Sequence, residues 1–104
     1  MSGYTPFEAI ADPTRRAILD VLKEDGPQKA GELAGRFPHI SRPAVSKHLR
    51  VLRGSKLVQQ ERRGREIWYR LDPLPLSQVE GWLENYRAFW QHHMNELRRL
   101  VEKG

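Results

Sequence analysis

Between Ile40 and Val58 the chain reads ISRPAVSKHLRVLRGSKLV. Arg42, Lys47, Arg50 and Arg53 recur through it, with Pro43, Ser46 and His48 between them and no carboxylate. Guanidinium and ammonium groups so spaced bind anionic oxygens, and a guanidinium can also pair with O6 and N7 of guanine through two bonds at once. Catalysis fits this stretch poorly. Ser41, Ser46 and His48 share one short segment, no carboxylate pair lies in an obvious cleft, and no glycine-rich loop is spaced to cradle phosphate. An enzyme is therefore the weakest reading. The chain has no cysteine, which excludes disulfides and thiolate metal sites.

The charge is unevenly spread. The formal net charge is +5, yet from Arg36 to Arg70 ten Arg and Lys meet only Glu61 and Glu66, a net of +8. The rest of the chain holds eight basic and eleven acidic residues, a net of −3. A basic block with mildly acidic flanks suits one face made for a polyanion, and equally a solvated Arg-rich surface. The chain is 38% hydrophobic and 30% charged, which excludes a disordered tail, and its 104 residues amount to one domain. No apolar run approaches the roughly 20 residues of a membrane span. The opening MSGYTPFEAI lacks the basic and then apolar order of a signal peptide. The expected location is cytoplasmic, with no membrane partner.

Apolar spacing supplies the elements that must position the cations. YTPFEAIAD predicts a short helix with Tyr4, Phe7 and Ile10 at three-residue intervals. Asp12 and Pro13 mark the start of a second, with Ile18, Leu19 and Leu22 facing inward and Gly26-Pro27 as its stop. Ala30, Leu33, Ala34 and Phe37 mark a short third helix ended by Pro38. Ser41 caps a fourth, about 41–54, whose buried stripe is Val45, Leu49 and Leu52 and whose other side presents Arg42, Pro43, Ser46, Lys47, Arg50 and Arg53. The short turn between the third and fourth helices makes a helix-turn-helix. After Lys56 the period falls to two. LVQQERR and EIWYRLD predict two strands, about 57–72, around Gly64 and Arg65, with Ile67, Tyr69 and Leu71 on one face. Beyond Pro73 and Pro75 a long helix, about 76–102, carries Val79, Leu83, Tyr86, Phe89, Trp90, Met94, Leu97, Leu100 and Val101, with Trp82 beside them. The expected fold is mainly α with a small β-hairpin: a single winged helix-turn-helix domain over residues 1–104, with helices at both ends forming a dimer interface.

In such a layout the second helix enters the major groove and its first residues meet the base edges. Base reading then falls to Arg42, Pro43, Ser46 and Lys47. Arg50, Arg53, Ser41 and His48 fall at phosphate-contacting positions. Ser41 is a cap on any reading, and Arg50 and Arg53 could equally keep the helix soluble. His48, beside the buried stripe, is either a partly buried hydrogen-bonding residue or a phosphate contact. The hairpin tip, with Arg62, Arg63, Gly64 and Arg65, suits the minor groove or its flanking phosphates, or is an ordinary solvated turn. The last helix is too apolar for a free surface, and one side of it is expected to pack on its own domain. Tyr86, Phe89 and Trp90 are expected to meet Tyr4, Phe7, Ile10 and the same helix of a second chain; the alternative is one monomer core. A two-fold pair would set its recognition helices about 34–36 Å apart and demand an inverted repeat in double-stranded DNA.

At ADPTRRAILDVL, ISRPAVSKHLRVLRGSKLV and RRGREIWYRLD the sequence resembles the ArsR family of bacterial winged-helix repressors, over roughly residues 6 to 72. The resemblance implies a dimer that occupies operators near its own promoter, with Arg42, Pro43, Ser46 and Lys47 at the base-reading positions and a wing from Arg62 to Glu66. Many members release DNA when a metal binds, but the ligand positions here depart from theirs. PQKAGELAGRF, before the recognition helix, has neither sulfur nor imidazole. On the last helix, relatives carry Asp-x-His and, further on, His-x-x-Glu. Aligning His93 and Glu96 with the second motif puts Glu80 and Trp82 at the first, and an indole cannot ligate a metal. The adjacent His92 and His93 point about 100° apart on a helix. The expectation is a metal-independent repressor without a cofactor, governed most simply by its own concentration, or else by a partner protein or an apolar ligand between the terminal helices. A metal- or small-ligand-responsive sensor and an antitoxin-like protein-interaction dimer are the competing readings. Two positions differ locally from relatives. Lys56 stands where glycine is usual, so either Gly54 ends the helix early or Lys56 is left-handed at a cost near 1 kcal/mol. Lys29 replaces a common Ser or Thr cap, which predicts a loosely capped third helix or a cap from Gln28.

Overall fold

The computed structural model describes residues 3–103. Side-chain acceptors and prolines set most of the helix starts. The Thr5 hydroxyl accepts from the Glu8 amide at 3.1 Å while the Glu8 carboxylate accepts from the Thr5 amide at 2.9 Å, so α1 (Pro6–Ile10) opens in a reciprocal capping box. Asp12 accepts from the Arg15 amide at 3.0 Å and Pro13 takes the first position of α2 (Pro13–Asp25), which ends at Gly26 with φ 76°. Ser41 accepts from the Ala44 amide at 3.2 Å and opens α4 (Arg42–Gly54). The short α3 (Ala30–Gly35) lies between them and lacks a side-chain acceptor at its N-cap, Lys29. Gln28 supplies none among the described residues; its side-chain nitrogen donates to the Asp25 carbonyl. The Glu32 carboxylate instead reaches back to the Lys29 amide at 3.1 Å.

The core forms where these helices cross. Ile18, Leu19 and Leu22 of α2, Leu33 and Phe37 around α3, and Val45, Leu49, Val51 and Leu52 of α4 are buried together with Ala9, Leu57 and Val58. Ala30, expected to face inward, is exposed at the first position of α3. The end of α4 shows which of the two expectations for Lys56 holds. The helix runs to Gly54, and Lys56 is left-handed with φ 69°. The Leu57 amide donates to the Leu52 carbonyl at 3.1 Å and the Lys56 amide to the Arg53 carbonyl at 3.0 Å. This is a Schellman closure, completed by burial of both Leu52 and Leu57. Only its left-handed residue is unusual, since a Cβ there is opposed by about 1–2 kcal/mol.

β2 (Val58–Arg63) and β3 (Glu66–Leu71) form the expected antiparallel hairpin, with Arg63 opposite Glu66 across the two-residue turn Gly64-Arg65. The sheet is nonetheless three-stranded, not two-stranded. β1 (Gln28–Lys29) pairs with Tyr69 and Trp68, giving the order β1-β3-β2. Two residues are too few to show a period, so only the presence of β3 makes this strand.

The last helix, α5 (Leu76–Lys103), departs furthest from expectation. One side of it was expected to pack on its own domain. Only Leu76 and Val79 are partly buried, and every residue from Gly81 to Glu102 is exposed. The helix projects from the body, and the molecule's greatest extent reaches 62 Å. Its apolar row is therefore not part of this chain's core, which removes the single-core alternative.

Leu52 has no solvent exposure and joins α4 to both the core and the Schellman closure. Leu52→Ala should cost about 2–5 kcal/mol. Urea unfolding should show a lower midpoint at an unchanged slope.

Candidate nucleic-acid interface

Burial of Val45, Leu49 and Leu52 fixes the rotation of α4 about its own axis. Arg42, Pro43, Ser46, Lys47, Arg50 and Arg53 are consequently all exposed, as the spacing requires. Arg42, Lys47, Arg50 and Arg53 have no carboxylate partner among the described residues. Several cations elsewhere are matched: Lys23 with Glu24, Arg36 with Asp25, Arg63 with Glu61 and Arg87 with Glu84. Lys29 meets Glu66 at 3.1 Å. That bond raises the lysine pKa and lowers the glutamate's, each held in its charged form by the other. The recognition face is thus a strip of positive charge without carboxylate partners on the exposed side of α4.

His48 is placed differently from its neighbours on α4. Its side chain is 21% exposed and turns toward α2, with Nδ1 3.4 Å from the Arg15 guanidinium and 4.0 Å from the Asp12 carboxylate. It belongs to a polar knot beside the middle of α4, away from the outward strip. Arg15, which sequence reading passed over, is the centre of this knot. Its Nε donates to the Ala9 carbonyl at 2.8 Å and its Nη2 to the Glu8 carbonyl at 3.0 Å. Arg16 Nη1 donates to the Ile10 carbonyl at 2.7 Å. Two guanidiniums therefore satisfy the orphan carbonyls at the C-terminus of α1, where positive charge is favoured. The only hint in the sequence is the Arg15-Arg16 pair just inside α2. The Asp12 carboxyl is held below its ordinary pKa, first by the hydrogen bond from the Arg15 amide. Partial burial opposes this, and the nearby His48 and Arg15 side chains reinforce it.

The wing tip does not present three equivalent guanidiniums. Gly64 adopts φ 64°, which lets the two-residue turn close. Arg62 bends back so that its Nε donates to the Gly64 carbonyl at 3.1 Å. Arg63 meets Glu61 at 3.1 Å and lies 4.5 Å over the ring of Trp68, a cation–π contact. Arg65 has no such partner among the described residues. Trp68, a second residue that sequence reading missed, also carries Lys29 at 5.8 Å and donates to Glu66 at 3.3 Å. Alternation puts Trp68 opposite the core-facing Tyr69, and that alone could have pointed to it.

At the other end of the fold, Phe7 of α1 meets Trp82 of α5 edge-on at 5.9 Å, and Trp82 meets Tyr86 at 5.1 Å. Phe89 and Trp90 continue the row and are exposed, while Ile10 packs partly into the core. Tyr4 lies elsewhere, with its ring against Gly54 so closely that a Cβ there would come within 2.9 Å of Cδ2. On α5, His92 pairs with Glu96 at 2.9 Å. Among the described residues, no three His, Asp or Glu side chains are gathered as a metal would require.

A helix-turn-helix with a cationic outer face and an arginine-tipped hairpin beside it defines a winged helix-turn-helix DNA-binding protein. Comparison with known proteins agrees. Residues 10–61 match the family model described as a helix-turn-helix domain. The chain is 41% identical over 80 residues to the transcriptional repressor SdpR of Bacillus subtilis, covering 77% of this chain and 87% of that one. It is 40% identical over 96 residues to the HTH-type transcriptional regulator Rv2034 of Mycobacterium tuberculosis, covering 92% and 85%. The crystal structure of an ArsR family transcriptional regulator superposes with a TM-score of 0.70 at 34% identity, covering 88% of this chain and 97% of that one. The chain belongs to the ArsR family of transcriptional regulators. It is a DNA-binding protein and not an enzyme.

The lowered Asp12 pKa has a definite consequence for stability. A carboxylate favoured in the fold stabilises it above the ordinary value of 3.8, and that contribution is lost as pH falls through the lower folded value. Asparagine caps a helix about as well as aspartate but carries no charge. Asp12→Asn should therefore lower the urea midpoint at neutral pH, and the gap to the parent should close as pH falls below 3.8.

Proposed function

We propose that the protein is a homodimeric, metal-independent repressor that binds an inverted repeat in double-stranded DNA and is governed by its own concentration. The observation that carries this reading is the row of unpartnered cations on α4, opposite a stripe buried in the core. Arg42, Pro43, Ser46 and Lys47 occupy the first two turns and read base edges. Arg42 supplies a two-pronged donor for guanine, Lys47 a single mobile one, Ser46 either a donor or an acceptor, and Pro43 an apolar contact. Arg50 and Arg53 lie further along and hold phosphates, as does Ser41 at the helix entrance. Arg65 is the wing residue best able to reach the DNA backbone. His48 is left out of this set because its ring faces Asp12 and Arg15.

The dimer is supported by the exposed apolar face of α5. Phe89 is 69% exposed and Leu100 68%, in company with Tyr86, Trp90, Met94 and Leu97. A row this long left in water favours association, and each large side chain that is covered contributes about 1.5–3 kcal/mol. Phe7 extends the same surface through Trp82. Metal independence is supported by the donor set: the chain has no cysteine, Trp82 stands where the family pattern has a histidine, and His92 is paired with Glu96. The protein's action on DNA places it in the cytoplasm.

Arg42→Ala and Lys47→Ala should each weaken operator binding by about 1–3 kcal/mol and relax base preference at one position, read by selection from a random duplex pool. Arg50→Ala should weaken all sequences alike and flatten the salt dependence, and added zinc should change none of these affinities. Unaltered selectivity in Arg42→Ala would refute the assignment. In sedimentation the parent should run at twice the chain mass at micromolar concentration, and Phe89→Glu with Trp90→Glu should run as the monomer.

A further inference from the structure

We propose that Lys56 is a DNA-backbone contact, the third cation of a cleft with Arg50 and Arg53 that carries phosphate binding from the recognition helix to the foot of the wing. The inference rests on the DNA-binding reading above and extends it to a residue that reading did not include.

Lys56 is the one non-glycine residue with positive φ among the described residues. The Schellman closure needs a left-handed residue there, but it uses only backbone atoms: the Lys56 amide donates to Arg53 and the Leu57 amide to Leu52. Glycine would serve the closure without strain. The lysine side chain returns nothing to the fold, since it is exposed and has no ion-pair or hydrogen-bond partner among the described residues. A side chain kept in an unfavourable backbone conformation, without a structural contact, points to a role outside the fold.

Its surroundings name the ligand. Arg50, Arg53 and Lys56 line one open cleft of about 470 Å³, with Gln59 and Gln60 of β2 supplying amide donors and no carboxylate on the wall. Three cations and two amides with nothing negative among them suit the oxygens of a phosphodiester chain. The cleft also continues the outward strip of α4, because Arg50 and Arg53 follow Lys47 at successive three-residue steps.

The test sets fold stability and DNA binding against each other at one position. Lys56→Gly should raise the thermal midpoint and still weaken binding to a selected operator duplex, by roughly three- to tenfold near 0.1 M salt. The slope of log affinity against log salt should fall by about 1.8, the loss of one phosphate contact from each protomer of the bound dimer. Lys56→Asn, which tolerates the same backbone conformation without the charge, should reproduce the loss. Lys56→Arg should keep the parent slope. Parent-like affinity and slope in both Lys56→Gly and Lys56→Asn would overturn the proposal while leaving the base-reading assignment intact. A parent protein that showed no salt-dependent duplex binding would overturn the DNA reading and this one with it.

Discussion

The burial of Val45, Leu49 and Leu52 is the constraint on which the rest depends. A helix has one rotation that hides a three-residue stripe, and choosing it decides what the opposite side shows to water. Here the opposite side holds four cations without partners. Each would be more comfortable beside a carboxylate, and carboxylates are available elsewhere on this surface. The core thus does more than hold the chain together. It points uncompensated charge in one direction, and that direction is where a polyanion can approach.

The remaining elements support that orientation at both ends of α4. Ser41 closes the entrance and the Schellman turn closes the exit, so the helix neither unwinds nor slides along its stripe. The hairpin leaves directly from that exit, through the buried Leu57 and Val58, which ties the wing to the helix it accompanies. On the wing the three arginines diverge. One folds back on the turn, one is held over Trp68 and against Glu61, and Arg65 is left to reach outward.

Much of this was legible in the sequence. The helices, the caps of α2 and α4, the stripe of α4 and the hairpin about Gly64 follow from local rules of period, proline and capping. The strip of exposed cations followed as well, because the spacing of the apolar residues dictates the position of everything between them. What could not be read were features created by distant pairing. Gln28 and Lys29 form a strand only because Trp68 and Tyr69 lie alongside. Arg15 looks like an ordinary solvated helix residue until α1 folds back and offers its carbonyls. His48 could be placed on the edge of the stripe, but not shown to face Asp12. The isolation of α5 was hidden for a different reason. An apolar helix face has the same periodicity whether its own chain or another surface covers it.

The knot around Arg15 links the two ends of the molecule. One guanidinium grips the last carbonyls of α1, grows from α2 and touches His48 of α4, while the ring of Tyr4, just before α1, rests on Gly54 at the far tip of the same helix. No slack loop separates the N-terminal segment from the recognition helix. A load applied to Phe7 through α5 would pass into α4 at two points along its length. The N-terminal segment thus touches α4 near His48 and again at Gly54, so the aromatic end and the cationic end of the molecule share one continuous set of contacts.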